Sequence, residues 1–185
     1  MIPELEKYIK KYKVYGEVKN DYMHQVGHRK EFGSQNYIIV SYSGIEDSEI
    51  TYYENKYNIN IPSVYKTFLN SNNGLFAFGI TMFGIPLSML KNGLLNRSIL
   101  QCHDIRQANR SWKKEYNVDE KAFHFGGRDV SFHEICGYFL YEDIFYVTKK
   151  NGKTIKTYNN FSDFISNELQ ISENIENSIN KYKWE

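Results

Sequence analysis

The segment from Ser43 to Gly74 constrains the fold more than any other part of the chain, because it reads as two consecutive helices with marked ends. Ser43 stands three residues before Glu46, the spacing of a capping box, in which each side chain satisfies the other's free backbone N–H. Ile50, Tyr53 and Tyr57 then define one helical face, and that helix is expected to end near Asn58. Pro62 suits the first position of a second helix, and Asn72-Asn73-Gly74 is the composition of a left-handed stop. Between these marks Tyr65, Phe68 and Leu69 form an apolar stripe at i, i+3 and i+4.

The flanks read less regularly. Leu5, Tyr8, Ile9 and Tyr12 predict a short helix, followed by extended runs around Tyr12 to Val18 and Tyr37 to Tyr42. The stretch between those runs, with His24, Gly27, His28 and Gly33, reads as a polar loop. Leu75 to Leu90 is apolar and broken by Gly79, Gly84 and Pro86, which predicts extended structure with turns. A helix is expected from His103 to Tyr116, and strands at Tyr138–Tyr141 and Ile144–Thr148. Asn151-Gly152 should turn the latter back into Thr154–Tyr158 with both turn residues at positive φ. Asn160 can cap a helix carrying Phe161, Phe164, Ile165 and Leu169, and a separate helical segment with Ile171, Ile175 and Ile179 is expected after Ser172.

A length of 185 residues fits one domain. Lys and Arg number 23 against 22 Asp and Glu, a net charge of +1 that shows neither the basic excess of a nucleic-acid binder nor the acidic excess of a nucleic-acid mimic. No run approaches the roughly 18 apolar residues of a membrane span. The first residues lack a signal-peptide core, and two cysteines, Cys102 and Cys136, cannot make a disulfide framework, so a cytoplasmic protein is expected. The 16 Tyr and 12 Phe fit either an aromatic protein interface or AT-rich coding. Charge is uneven locally. Arg97, Arg106, Arg110, Lys113 and Lys114 oppose the single acid Asp104. On one helix Arg106, Arg110 and Lys113 (or Lys114) would share a face with Trp112 nearby, the expected partner-binding face if it is more than a solvated surface. Acidic residues gather at Glu46, Asp47, Glu49 and Glu54, and again at Glu168, Glu173 and Glu176. Separated patches of both signs suit a specific protein contact.

No catalytic, cofactor or metal residue is nominated. Gly152-Lys153-Thr154 resembles the end of a phosphate-binding loop, but Val147 occupies the position where that loop needs glycine. His24 and His28 have metal-ligand spacing without a helix to present them, and Gln25 replaces the glutamate of a zinc protease. His124, His133, Glu134 and Cys136 match no zinc module. Cys102-His103-Asp104 puts triad residue types side by side, where a helix points them apart.

The segment Ile45 to Pro86 resembles the SMI1/KNR4 family of the SUKH superfamily. The match is carried by Glu54 in the first helix, the link Tyr57-Asn58-Ile59-Asn60-Ile61-Pro62, then Tyr65-Lys66-Thr67-Phe68-Leu69, Asn73-Gly74 and Phe83-Gly84-Ile85. Ile61 replaces the usual leucine, and the family's acidic glycine step before the hairpin is blurred into Gly126-Gly127-Arg128-Asp129. The helix from Phe161 to Ile165 is similar to the family's closing one. Residues 43–170 are assigned to this domain, 1–42 to an N-terminal helix and strand embellishment, and 171–185 to a helical extension. Glu54, Pro62, Tyr65, Phe68, Leu69, Asn73, Gly74 and Gly84 are expected to bear the fold. The resemblance implies an α+β domain with helices on a mixed or mainly antiparallel sheet. It implies an immunity protein that binds and occludes a cognate toxin domain, often a nuclease, as a monomer or homodimer, without cofactor, direct nucleic-acid contact or membrane. A regulatory scaffold is the alternative, and a metal-dependent enzyme a third.

Overall fold

The computed structural model describes residues 2–29, 36–91, 100–131 and 134–179. The central helices are α2 (Asp47–Tyr57) and α3 (Ser63–Ser71), which follow α1 (Pro3–Tyr12) and the strands β1 (Glu17–Lys19), β2 (Met23–His28) and β3 (Tyr37–Ser43). After α3 come β4 (Asn72–Ala77), β5 (Ile80–Met82), α4 (Ile105–Arg110), β6 (Phe123–Ser131), β7 (Glu134–Tyr141), β8 (Ile144–Lys149), β9 (Thr154–Tyr158) and α5 (Phe161–Ile179). The fold is α+β. The nine strands form one sheet in chain order, and the ladders between named strands are antiparallel.

Several expectations change at element ends. Ser43 is the last residue of β3, and α2 starts at Asp47 after Glu46 with no side-chain cap, so the capping box does not form. Asn58 does end α2 in the left-handed conformation. Pro62 precedes α3 instead of occupying its first turn. Asn72-Asn73-Gly74 is not a stop but the start of β4, with Asn72 extended at φ −148. The amide of Asn73 explains the switch: it donates to the Ile85 carbonyl and accepts from the Ile85 N–H, both at 2.7 Å. Gly74 keeps a positive φ of 103 inside the strand, and a Cβ there would stand 2.8 Å from the Cys102 Cβ.

The expected polar loop contains β2, whose Gln25, Val26 and Gly27 are buried between β1 and β3. The expected helix to Tyr116 is shorter: α4 ends at Arg110 and a 3-10 turn, Trp112–Glu115, follows. No sequence pattern anticipated β6. The β8–β9 turn has Gly152 at φ 85 without Asn151 at positive φ, because the chain closes through Lys149 and Lys153. Asn160 caps α5 by accepting from the Asp163 N–H at 2.8 Å, and the helix continues through Ser172 to Ile179 without a break.

Strand alternation divides the sheet into two unlike faces. On one, Ile39, Ala77, Ile80, Arg128 and Cys136 are cross-strand neighbours. Helices pack over this side: Phe164 of α5 meets Phe125, Tyr138 and Phe145, and Tyr65 of α3 meets Phe123 and Phe125. Tyr8 and Tyr12 of α1 clamp Phe78, held at φ 53 in the β4–β5 turn. The signature side chains bind backbone at these junctions. Glu54 accepts from the Ile61 N–H and from Lys66, both at 2.7 Å, fixing the α2–α3 link. The Tyr65 hydroxyl donates to the carbonyls of Phe83 and Phe125 at 2.6 and 3.1 Å. Gly84 allows the chain to pass Asn73, whose carbonyl oxygen would lie 2.4 Å from a Cβ. Leu69 is fully buried.

The glutamates of α5 are not the surface patch expected from their sequence. Glu168 is fully buried and accepts from Arg128 Nε at 2.6 Å and from the Tyr138 and Tyr158 hydroxyls at 2.8 Å. Glu173 takes Tyr12 and Lys11 at 3.0 Å, and Glu176 takes Arg29. Glu168 thus faces the sheet, while Glu173 and Glu176, three residues apart, share a second face toward α1 and Arg29.

Phe68 is 2% exposed and meets the rings of Tyr65 and Phe161. Phe68→Ala should therefore lower the unfolding free energy by roughly 3–5 kcal/mol in urea titration.

Candidate partner-binding site

The opposite face of the sheet carries no long helix among the described residues. Val40, Phe76, Thr81, Gly127, Gly137 and Thr148 are successive cross-strand neighbours there. Phe76 is 38% exposed and Ile135, on the same side of β7 as Gly137, is 42% exposed.

Residues 111–117 cross this face as a strap. Trp112 packs edge-on to Phe83 at 5.2 Å and to His103 at 5.8 Å. Tyr116 lies against Phe139 and His124, and the Asn117 N–H donates to the Lys150 carbonyl at 3.0 Å. Glu115 pairs with Lys150 at 2.6 Å. Beside the strap opens a cleft of about 340 Å³, with Thr81, Gly126 and Gly127 among its strand residues, Phe83, Trp112 and Tyr116 among its rings, and Asp129 and Ile135 at its edge.

His124 underlies the cleft, stacked on Phe139 at 4.6 Å, with Nε2 3.0 Å from the Gly126 carbonyl. Burial pushes its pKa down to about 4. The thiols of Cys102 and Cys136 are pushed up by burial, the latter to about 11, so neither is a ready nucleophile at neutral pH. Asp104, next to Cys102 and His103, caps α4 by accepting from the Arg106 N–H at 2.8 Å. Among the described residues no group of three or more His, Cys, Asp or Glu could hold a metal ion, and His133 lies outside them. His24 and His28 sit on a strand, where four residues span roughly 13 Å. His24 pairs with Glu17 at 2.7 Å, and His28 stacks on Tyr37.

The four residues expected on one basic face point to different places, because the helix ends before Trp112. Arg106 is bound to Asp104 at 3.1 Å and lies 4.5 Å over the Tyr57 ring. Arg110 is exposed at the end of α4, without a partner among the described residues. Trp112 walls the cleft. Lys113 turns back to donate to the carbonyls of Glu120 and Ala122. Arg97 lies outside the described residues. Thr81, Gly137 and Tyr116 were not singled out by sequence, and Gly127 only within the Gly126-Gly127-Arg128-Asp129 step; glycines interrupting apolar strands, a mark of close approach, were the available signal.

Arg106→Glu should lower stability by about 1–3 kcal/mol through repulsion at Asp104, whereas Arg110→Glu should change it by less than about 0.5 kcal/mol; thermal melts of the two variants test this. His124 gives a pH test. Its folded pKa of about 4 lies below the ordinary 6.5, so between these values the unfolded chain binds more protons. The stability from keeping this ring neutral is complete above pH 6.5. It is lost as pH falls toward about 4, by at most about 1.4 kcal/mol for each step of one in pH. Denaturant titrations should show this acid-side slope reduced in His124→Gln.

No helix among the described residues is long and apolar enough to cross a membrane. The family model for SMI1 / KNR4 (SUKH-1) matches residues 44–167, well over half of the chain, and the chain belongs to that family. No curated protein matches the chain.

Proposed function

We propose that this member of the SMI1/KNR4 family is a cytoplasmic immunity protein that binds a cognate toxin domain and neutralises it by stoichiometric occlusion of its active site or substrate groove. Membership of the SMI1/KNR4 family supports the immunity class. The observation that carries the mechanism is the side of the sheet that bears no long helix among the described residues, where the Trp112–Asn117 strap leaves an aromatic cleft and the exposed side chains of Phe76 and Ile135 open to a partner. A rigid strand platform suits occlusion, since little ordering entropy is lost on docking. Aromatic rings at such a surface bury large area with few rotatable bonds. The interface therefore centres on Trp112, with Arg110 at its margin as a cation unpaired among the described residues.

Co-expression with a toxin domain encoded beside this protein's gene should restore growth of the producing cell, and the purified pair should elute as a 1:1 complex. Trp112→Ala should weaken that complex by at least about ten-fold, the scale of an interface hot spot, with the fold retained by circular dichroism. Continued growth arrest with no complex refutes the proposal.

A further inference from the structure

The cleft beside the strap has a chemistry more specific than its shape. Its strand residues include Thr81 and Gly127, opposite one another on β5 and β6, and Gly137 continues the row on β7. Gly127 thus presents no side chain at this level, and the space over Gly137 is filled by the Phe139 and Tyr116 rings. Indole and phenol rings from Trp112 and Tyr116 stand on one margin. On the other, the Asp129 carboxylate lies over Gly79, with Oδ2 3.3 Å from where a Cβ would be. Asp129 is exposed at the cleft, its side chain has no hydrogen bond or ion-pair partner among the described residues, and partial desolvation raises its carboxyl pKa. Glu115 adds a second carboxylate to the lining, held by Lys150.

The cation nearest in sequence does not serve this carboxylate. Arg128 is 7% exposed and its Nε is bound to Glu168 on the helix-covered side. A flat floor, aromatic walls and an uncompensated carboxylate are the complement of a planar cation. A guanidinium stacks on rings and takes a carboxylate through two N–H groups, whereas an ammonium lacks the planar fork.

We infer that this cleft receives an arginine side chain from a basic segment of the partner protein, with the guanidinium between the Trp112 and Tyr116 rings and the Asp129 carboxylate. The inference rests on the proposed immunity function for the identity of the partner, but not for the chemistry of the cleft. Phosphate-bearing ligands are disfavoured by the same two carboxylates.

Two experiments separate these dependencies. The ¹⁵N-labelled protein is titrated with acetyl-Gly-Arg-Gly-amide and with the citrulline counterpart, which keeps the shape and loses the charge. Amide signals of Thr81, Gly127 and Gly137 and the Trp112 indole N–H should move with the arginine peptide. The citrulline peptide should bind at least about ten-fold more weakly, as should the arginine peptide to Asp129→Asn, whose remaining spectrum should overlay the wild type. Absent shifts, equal shifts with citrulline, or undiminished binding to Asp129→Asn overturn the inference. In the toxin complex, Asp129→Lys should raise Kd at least about ten-fold; an unchanged Kd removes the cleft from that interface even if the peptide binds. Failure of growth rescue by the wild type refutes the immunity reading alone, since the peptide titration does not depend on it.

Discussion

The buried carboxylate of Glu168 is the interaction on which the arrangement of the sheet depends. It joins α5 to three strands at once: Arg128 on β6, Tyr138 on β7 and Tyr158 on β9. Burying an ion pair carries a large desolvation cost, so such a pair persists where further hydrogen bonds complete its coordination. Here two tyrosine hydroxyls do so, and the aromatic packing of Phe164 encloses them. A polar knot of this kind specifies where α5 lies more sharply than apolar contact, since a displaced helix would leave a guanidinium and a carboxylate both buried and unpaired.

With α5 fixed there, α1 and α3 fill the same side, and the opposite side keeps its central strands for the strap. The asymmetry has a local cause in the aromatic residues. Tyr65, Phe68, Phe125, Phe145 and Phe164 interlock beneath the helices, while Phe83, Trp112, Tyr116, His124 and Phe139 form a second cluster beneath the strap. The tyrosine excess thus divides by position. Tyr65, Tyr138 and Tyr158 serve the core through their hydroxyls, and Tyr116 borders the cleft.

What could be read from sequence followed the range of the forces involved. The stripe Tyr65, Phe68, Leu69 and the cap at Asn160 are local patterns, and both appear as elements in place. β2 was not legible, because its polar residues His24 and Gln25 are placed in the sheet by strand partners well along the chain, Ser41 and Val40. The ends of α3 misled for the same reason: Asn73 has the composition of a stop, yet its amide is committed to Ile85 across the fold. The candidate site was legible in one residue, Trp112. The remaining expected members separated because a helix that ends at Arg110 cannot hold Arg106 and Lys113 on one face.

Total charge says little about this surface, again because the deciding contacts are distant in sequence. Arg128 and Asp129 are adjacent and of opposite sign, so they cancel in any count, yet successive residues of a strand face opposite ways. One is drawn into the core by Glu168, and the other is left at the cleft over Gly79. A one-residue slip of β6 would exchange them, exposing the guanidinium and burying a carboxylate against Glu168. The buried pair therefore fixes more than the position of α5. By setting the register of β6 it also sets the sign of the cleft on the far side of the sheet, and the interior ion pair and the surface electrostatics become one constraint.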